Sequence, residues 1–244
     1  MKRFQKSIIS LALILLCGTP VYAFDLNFGP MAQSEFDNMV RDVGTLITYR
    51  AMAPAEPGGL LGFDVSVAAS AVKIDTALWN QIIPSEIITE DYVFVPSLRA
   101  RLGLPLNFDV GASFAQVPGS DIQMLGGEVQ WAMWDGSAAT PALAFRGHYS
   151  SLLNVNELDL TTYGADAVIS KGFAIFTPYA GIGAVYMDGK YNGSLPANLA
   201  LSGYSDTSVR YFGGLRMTLT LLQITADIEY LEQPVYSLKV GLGW

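Results

Sequence analysis

From Gly58 onward the chain alternates apolar and polar residues with period two, in runs separated by turn residues. This is the signature of strands with one greasy face. Over 62–72, Phe63, Val65, Val67, Ala69 and Ala71 share one face, and Asp64, Ser66 and Ser70 share the other. The same reading predicts strands over 94–104, 107–117, 121–134 and 141–151. It continues through 158–171 (the least regular), 175–187, 208–220, 222–231 and 236–244. The connections alternate in length. Those near 103–105, 135–137, 171–173 and 220–221 are short, as are periplasmic turns, whereas 74–91 and 188–206 are long, as are outer loops. Pro118-Gly119, 153–157 and 232–234 fall on the same side as the long ones. The predicted fold is all-β: an antiparallel transmembrane barrel of about ten strands, twelve being possible, occupying 58–244.

Aromatic positions bear on the same picture. Phe108, Trp131, Trp134, Phe173, Phe176 and Trp244 fall near the periplasmic ends of these strands, and Tyr149, Tyr186, Tyr230 and Tyr236 near the outer ends. Amphipathic rings at both ends are expected where strands meet lipid headgroups. A soluble β-sandwich would share the alternation but would not need two girdles.

Residues 24–57 break the pattern. Phe36, Met39, Val40, Val43 and Ile47 recur at helical spacing, with Ser34 and Asp37 placed as a capping pair and Pro54 and Pro57 beyond. An amphipathic helix over 34–50 follows. It is either a plug or lid in the lumen or at the periplasmic mouth, or a helix lying on the membrane. Thr45 to Tyr49 also has β character, so an extra strand over 45–52 is a third option.

The start of the chain changes the compartment. Lys2, Arg3 and Lys6 precede an apolar run from Ile8 to Leu16, and Val21-Tyr22-Ala23 offers a small-x-small site. This is the plan of a cleaved secretory signal over 1–23, and its apolar run is too short to span a bilayer. Leu16 before Cys17 is a poor match for lipid attachment at that cysteine. The segment holds three of the 14 basic residues and none of the 22 acidic ones, which leaves 11 against 22, a net −11, in 24–244. That balance lacks the basic footprint nucleic acid needs. With Cys17 removed and His148 the one histidine, disulfides, thiol chemistry and His/Cys metal sites are excluded. No cofactor or metal is expected, since no nucleotide-binding glycine pattern or metal-ligand motif occurs.

The C-terminal run Tyr236, Leu238, Val240, Leu242 and Trp244 resembles the terminal signature of bacterial outer-membrane proteins, in which apolar residues alternate up to a final aromatic. The whole chain also resembles uncharacterised proteobacterial outer-membrane barrels, with Gly62-Phe63-Asp64-Val65 following a helical lead-in. The resemblance implies recognition by the barrel-assembly machinery, escort by periplasmic chaperones and a final home in outer-membrane lipid. Trp is a departure from the commoner terminal Phe.

The polar faces carry charges of both signs: Asp64, Asp109, Glu128, Asp166, Asp227 and Glu229 against Arg99, Arg101, Arg146, Arg210, Arg216 and Lys239. In a barrel this narrow they are expected to pair across the lumen. That gives either a polar core in a protein with a structural or interaction role, or a restricted path for small polar solutes. His148 and Ser150 share a face, and the His-x-Ser pair resembles that of outer-membrane phospholipases and lipid A deacylases. By that resemblance His148 would be the base and Ser150 the nucleophile of an acyl-ester hydrolase. Arg146 on the same face points them toward the lumen instead of lipid.

Overall fold

The computed structural model describes residues 31–82, 91–117, 122–137, 139–193 and 201–244. The signal segment with Cys17, Pro118-Gly119 and the middles of the two long loops lie outside the described residues. Among these residues ten strands form one closed antiparallel barrel, each paired with its sequence neighbours and the last with the first. They are β1 (Phe63–Lys73), β2 (Tyr92–Gly103), β3 (Phe108–Gln116), β4 (Gln123–Trp134) and β5 (Ala142–Leu153). Then follow β6 (Leu158–Ser170), β7 (Phe176–Tyr191), β8 (Tyr204–Leu219), β9 (Leu222–Tyr230) and β10 (Pro234–Gly243). Closure runs from Asp64 opposite Gly243 to Val72 opposite Val235. It leaves no edge strand to be satisfied in lipid.

Alternation sorts the side chains as the sequence pattern predicts. Phe63, Val65, Leu98, Val129, Phe145, Ile182, Leu215, Ile228 and Leu238 are exposed on the outside, while Asp64, Glu128, Arg146, Arg210 and Lys239 are buried inside. Rings line both rims. Phe108, Trp131 and Phe145 stack in sequence, and Phe63 packs on Trp244 at the turn end. Tyr163 stacks on Tyr186, and Tyr92 packs on Tyr236, nearer the loop end.

Three boundaries move. The outer connection expected over 188–206 shrinks, because β7 runs on to Tyr191 and β8 begins at Tyr204, with Gly189 opposite Tyr204. This extension is supported from inside, where Tyr191 and Tyr204 pack against the lumen's apolar cluster. The loop after β1 begins with a short helix α2 (Thr76–Ile82). The N-terminal helix α1 spans Gln33–Ile47 and not 34–50. It starts one residue early because Glu35, and not Ser34 with Asp37, closes its first turn: the Glu35 carboxylate accepts the Ala32 N–H at 2.8 Å. Beyond Ile47 the chain is extended but joins no ladder, so the extra-strand option is not realised. The wall strands already have partners on both sides.

Helix α1 lies inside the barrel, at the loop end and not at the turn end. Its neighbours are β5, β6 and β7, and Gln33 Nε2 bonds the Ser202 carbonyl at 3.1 Å. The approach to the wall is close: a Cβ on Gly189 would sit 2.6 Å from Val40 Cγ1. From Thr48 the chain descends the lumen to the turn end, where Gly58 N–H reaches Asp109 Oδ1 at 2.9 Å. It then turns back into β1 through Gly62, where any side chain would collide with the Gly58 carbonyl. The chain therefore threads its own barrel from loop end to turn end before the first strand begins.

This topology puts Ser34, exposed at the start of α1, at the loop end of the barrel, and Ser137, in the β4–β5 turn, at the opposite end. In a chain without other cysteines, Ser34→Cys is expected to react with a membrane-impermeant maleimide on intact cells. Ser137→Cys is expected to react only after permeabilisation. The reverse pattern would show the barrel or its plug to be inverted.

Candidate functional site

The lumen is filled in three layers. At the loop end Phe36, Met39, Val40, Val43, Leu46 and Ile47 of α1 are buried against Val72, Val95, Met124, Leu152, Leu158, Leu160 and Val235, which project inward from six strands. The helical periodicity identified the α1 side of this packing. The wall side departs from a lumen read as polar throughout, because near the loop end the inward face turns apolar to receive the helix. At roughly 1.5–3 kcal/mol per buried side chain, the six α1 residues contribute on the order of 10 kcal/mol to holding the plug. Ile74, Leu78 and Trp79 from the β1–β2 connection close over it.

One carboxylate sits in this layer. Asp42 Oδ2 accepts from Asp75 N and Trp79 Nε1, both at 3.2 Å. Burial raises its pKa above the ordinary carboxylate value against the pull of these two bonds, with the charges of Asp75 and Glu232 adding to the rise.

The middle layer is ionic. Arg50, on the plug, donates to the carbonyls of Leu46 (3.2 Å), Thr48 (3.1 Å) and Thr45, and so terminates α1. Its Nε lies 3.2 Å from Glu229 Oε1. A guanidinium at the C-terminal end also complements the helix dipole. Glu229 in turn holds Arg210 (2.7 Å), and Arg210 reaches Asp166 (3.3 Å). Around the other side, Arg101 bridges Asp109 (3.0 Å) and Glu128 (3.2 Å), and Arg146 meets Glu128 at 3.0 Å. Arg99 makes no such pair among the described contacts. It donates to the Arg50 carbonyl and lies 4.8 Å over the Tyr49 ring. Asp227 accepts from Tyr179 at 2.5 Å.

An extended segment inside a closed barrel has no ladder to join, so its backbone groups need side-chain partners. Arg146 donates to the Ala53 carbonyl (3.1 Å) and Gln130 to the Ala55 carbonyl (3.2 Å), while Ser170 accepts the Ala55 N–H (2.9 Å). Ser170 also donates to Glu56 at 2.8 Å. Tyr49, Arg50 and Glu56 were not singled out from sequence. Their signal was available in the charges flanking Pro54 within an otherwise apolar lead-in.

His148 and Ser150 are both enclosed, with about 5% and 1% of their surfaces exposed. The structure does not assemble them as base and nucleophile. Ser150 Oγ is hydrogen-bonded to Thr162 Oγ1 at 2.8 Å. His148 Nε2 faces Arg210 Nη1 at 3.2 Å and Asp166 Oδ2 at 3.7 Å. With Nε2 set between these two groups and the Ser150 hydroxyl held by Thr162, no hydrogen bond joins His148 to Ser150 among the described contacts.

The turn-end layer is looser. Lys239 Nζ holds Asp64 Oδ2 at 2.7 Å and Arg216 Nη2 stands 3.4 Å from the same oxygen. Beside them lies a cavity of about 330 Å3 between plug residues 53–58 and the wall. The last-strand residues Tyr236, Leu238, Leu242 and Trp244 are exposed on the lipid side, with Val240 half-buried between them.

A closed barrel with a greasy belt, two aromatic rims and a filled interior is a transmembrane β-barrel of the bacterial outer-membrane type. No family model matches the chain, and no curated protein matches it significantly. Among solved structures it is similar to Ail, the attachment invasion locus protein of Yersinia pestis, at 18% identity, covering 75% of this chain and 95% of that one, TM-score 0.31. It is similar to the N-terminal β-barrel domain of Pseudomonas aeruginosa OprF at 12% identity, with 74% and 97% covered and a TM-score of 0.36. It is also similar to the outer membrane protein Omp33 of Acinetobacter baumannii at 8% identity, with 77% and 100% covered and a TM-score of 0.34.

Two substitutions test the layers. Arg50→Ala strips Glu229 of one partner and α1 of its terminal donors, and is expected to cost about 3–5 kcal/mol in urea unfolding of the micelle-bound protein. A loss within the error of the measurement would remove Arg50 from the structural account. Asp42 behaves in the opposite sense. A raised folded-state pKa means the folded protein binds the proton more readily, so stability rises as pH falls through that value and is lower above it. Asp42→Asn keeps an acceptor without the charge. It is expected to melt a few degrees higher than wild type at neutral pH, with the gap closing in acid; an unchanged gap across pH would contradict the buried-charge explanation.

Proposed function

We propose that this chain works as a sealed barrel of the Gram-negative outer membrane, exported by a cleaved signal over 1–23 and acting through its surfaces instead of as a diffusion pore. One observation carries this reading: α1 packs its whole apolar side into the loop-end half of the lumen, with Phe36 and Val40 fully buried. Opening a path requires undoing that packing, on the order of 10 kcal/mol, which unaided thermal motion supplies too rarely to sustain conduction. The C-terminal run Tyr236 to Trp244 supports insertion by the barrel-assembly machinery after periplasmic escort by chaperones. Outer-membrane lipid is then the partner of the apolar belt.

With the lumen closed, the surface left to act is the loop end. Its described residues include Glu35, Asp37, Asp91, Glu157, Asp159, Asp188, Asp206 and Glu232 against Arg41, Lys73 and Lys190. This acidic rim favours cationic over anionic partners. Restricted passage of small polar solutes is a second reading, favoured by the open turn-end cavity.

Planar-bilayer recording separates the two. The refolded wild type is expected to be electrically silent, while a form lacking 31–57 or carrying Phe36→Asp conducts. Steady single-channel current from the wild type would overturn the sealed reading in favour of passage.

A further inference from the structure

Closure of the wall stops short of the loop end of β8. Its last rung with β9 joins Tyr211 to Tyr230, whereas its ladder with β7 continues to Gly189 opposite Tyr204. Tyr204 to Arg210 are therefore paired on one side and open on the other, a free edge of roughly 20 Å at about 3.3 Å per residue. Tyr230 is one of the exposed loop-end aromatics, so this edge begins where the lipid belt ends.

The ladder fixes which groups face the opening. Thr218 donates to the Ile175 carbonyl at 2.8 Å, so the even-numbered residues of β8 turn their backbone groups to β7, and the register holds without a shift from Met217 to Tyr204. Ser205, Thr207 and Val209 then turn an N–H and a C=O each to the open side. Among the described residues one of these groups has a partner: the Thr207 N–H donates to the adjoining Asp206 carboxylate at 2.8 Å. Natural edges are usually guarded by lysine, proline or a bulge. This one has neither lysine nor proline nor a register shift, and with Arg210 buried its one exposed charge is Asp206.

Charge around the opening selects what can pair there. Asp206 stands 3.3 Å from Arg41, Glu232 in the β9–β10 turn accepts from Ser208, and Asp75 lies across that turn, where β1 passes into α2. Three acids thus face one base. A second copy would set Asp206 and Glu232 against their own counterparts and be repelled, whereas a basic strand is drawn in. We propose that the open edge of β8 is a docking site for an extended, lysine- or arginine-bearing segment of a partner protein, which adds to the wall as a strand. Its backbone pairs with Ser205, Thr207 and Val209, and its alternate side chains reach the acids at the mouth. This rests on the reading that the acidic loop end favours cationic partners, and not on the state of the lumen: a conducting wild type would sink the sealed barrel and leave this edge as it is.

Residues 24–244, refolded in zwitterionic detergent micelles with folding checked by heat-modifiable migration, would be titrated against fluorescent peptides. A seven-residue probe alternating lysine and threonine is expected to bind saturably. Exchanging its lysines for glutamates, or methylating every backbone nitrogen, is expected to weaken binding at least about tenfold, the loss of a few hydrogen bonds or of the charge match. Thr207→Pro blocks the edge without touching the β7 ladder, and should weaken the lysine probe by a similar factor. The methylated peptide makes the same test on the wild type, whatever the variant's folding. No binding of the lysine probe at millimolar concentration, or equal binding of its methylated form, would overturn strand addition. Equal binding of the glutamate probe would overturn the charge reading beneath it. Sedimentation of the free protein as a dimer that Thr207→Pro dissociates would give the edge to a second copy and overturn the choice of partner.

Discussion

The structure depends on one constraint: a ten-stranded wall encloses a space that neither lipid nor bulk water fills. Half of every strand points into it. Those side chains must find partners among themselves or from a segment brought in for the purpose. Here the segment is the chain's own N-terminal lead-in, and Arg50 joins the two solutions. Its guanidinium ends the helix that fills the apolar layer and lies against Glu229, which belongs to the ionic layer. Without such a residue the helix would finish with bare carbonyls in the middle of the barrel, where no water reaches them.

The ionic layer is balanced within the wall and stays balanced when the plug is added. The wall contributes six acids and six bases, and the plug adds Glu56 and Arg50, one of each sign. An interior neutral in sum can be enclosed at tolerable cost, whereas a surplus of either sign would have to be neutralised or hydrated. The net negative charge of the chain therefore lies outside this ionic layer, and most of it is at the loop end. Interior and exterior follow separate rules. The interior charges specify how the plug seats, and the exterior charges set the field a partner meets.

Much of this was legible in the residues. The strands were readable because a lipid-facing side and a lumen-facing side impose period two with no exceptions for loops or domains. The α1 face was readable because burial imposes period 3.6. Where the helix would sit was not, since an amphipathic stripe fits a lumen and a membrane surface alike. The deciding signal lay in the strands: Leu158, Leu160 and Val168 occupy inward positions of β6, where a water-filled lumen would call for polar residues. The irregular alternation over 158–171 is that signal, and it marks the wall's adaptation to the helix. The His148–Ser150 pair shows the reverse difficulty. Sharing a face at spacing two brings side chains near each other, but each found a cross-strand or cross-lumen partner instead, Thr162 for Ser150 and Arg210 for His148.

The order of the three layers also follows from the path of the chain. The plug is widest and greasiest where it enters, because a helix can satisfy its own backbone and present only side chains to the wall. Once extended, from Thr48 onward, it must borrow hydrogen bonds, so the wall beside it carries Arg99, Gln130, Arg146 and Ser170 at the heights of Arg50, Ala53 and Ala55. By Gly58 the segment has become too thin to fill the cross-section, and the remaining space is the cavity at the turn end. Sealing at one end and open space at the other are thus two results of a single change, from helix to extended chain, made inside one closed barrel.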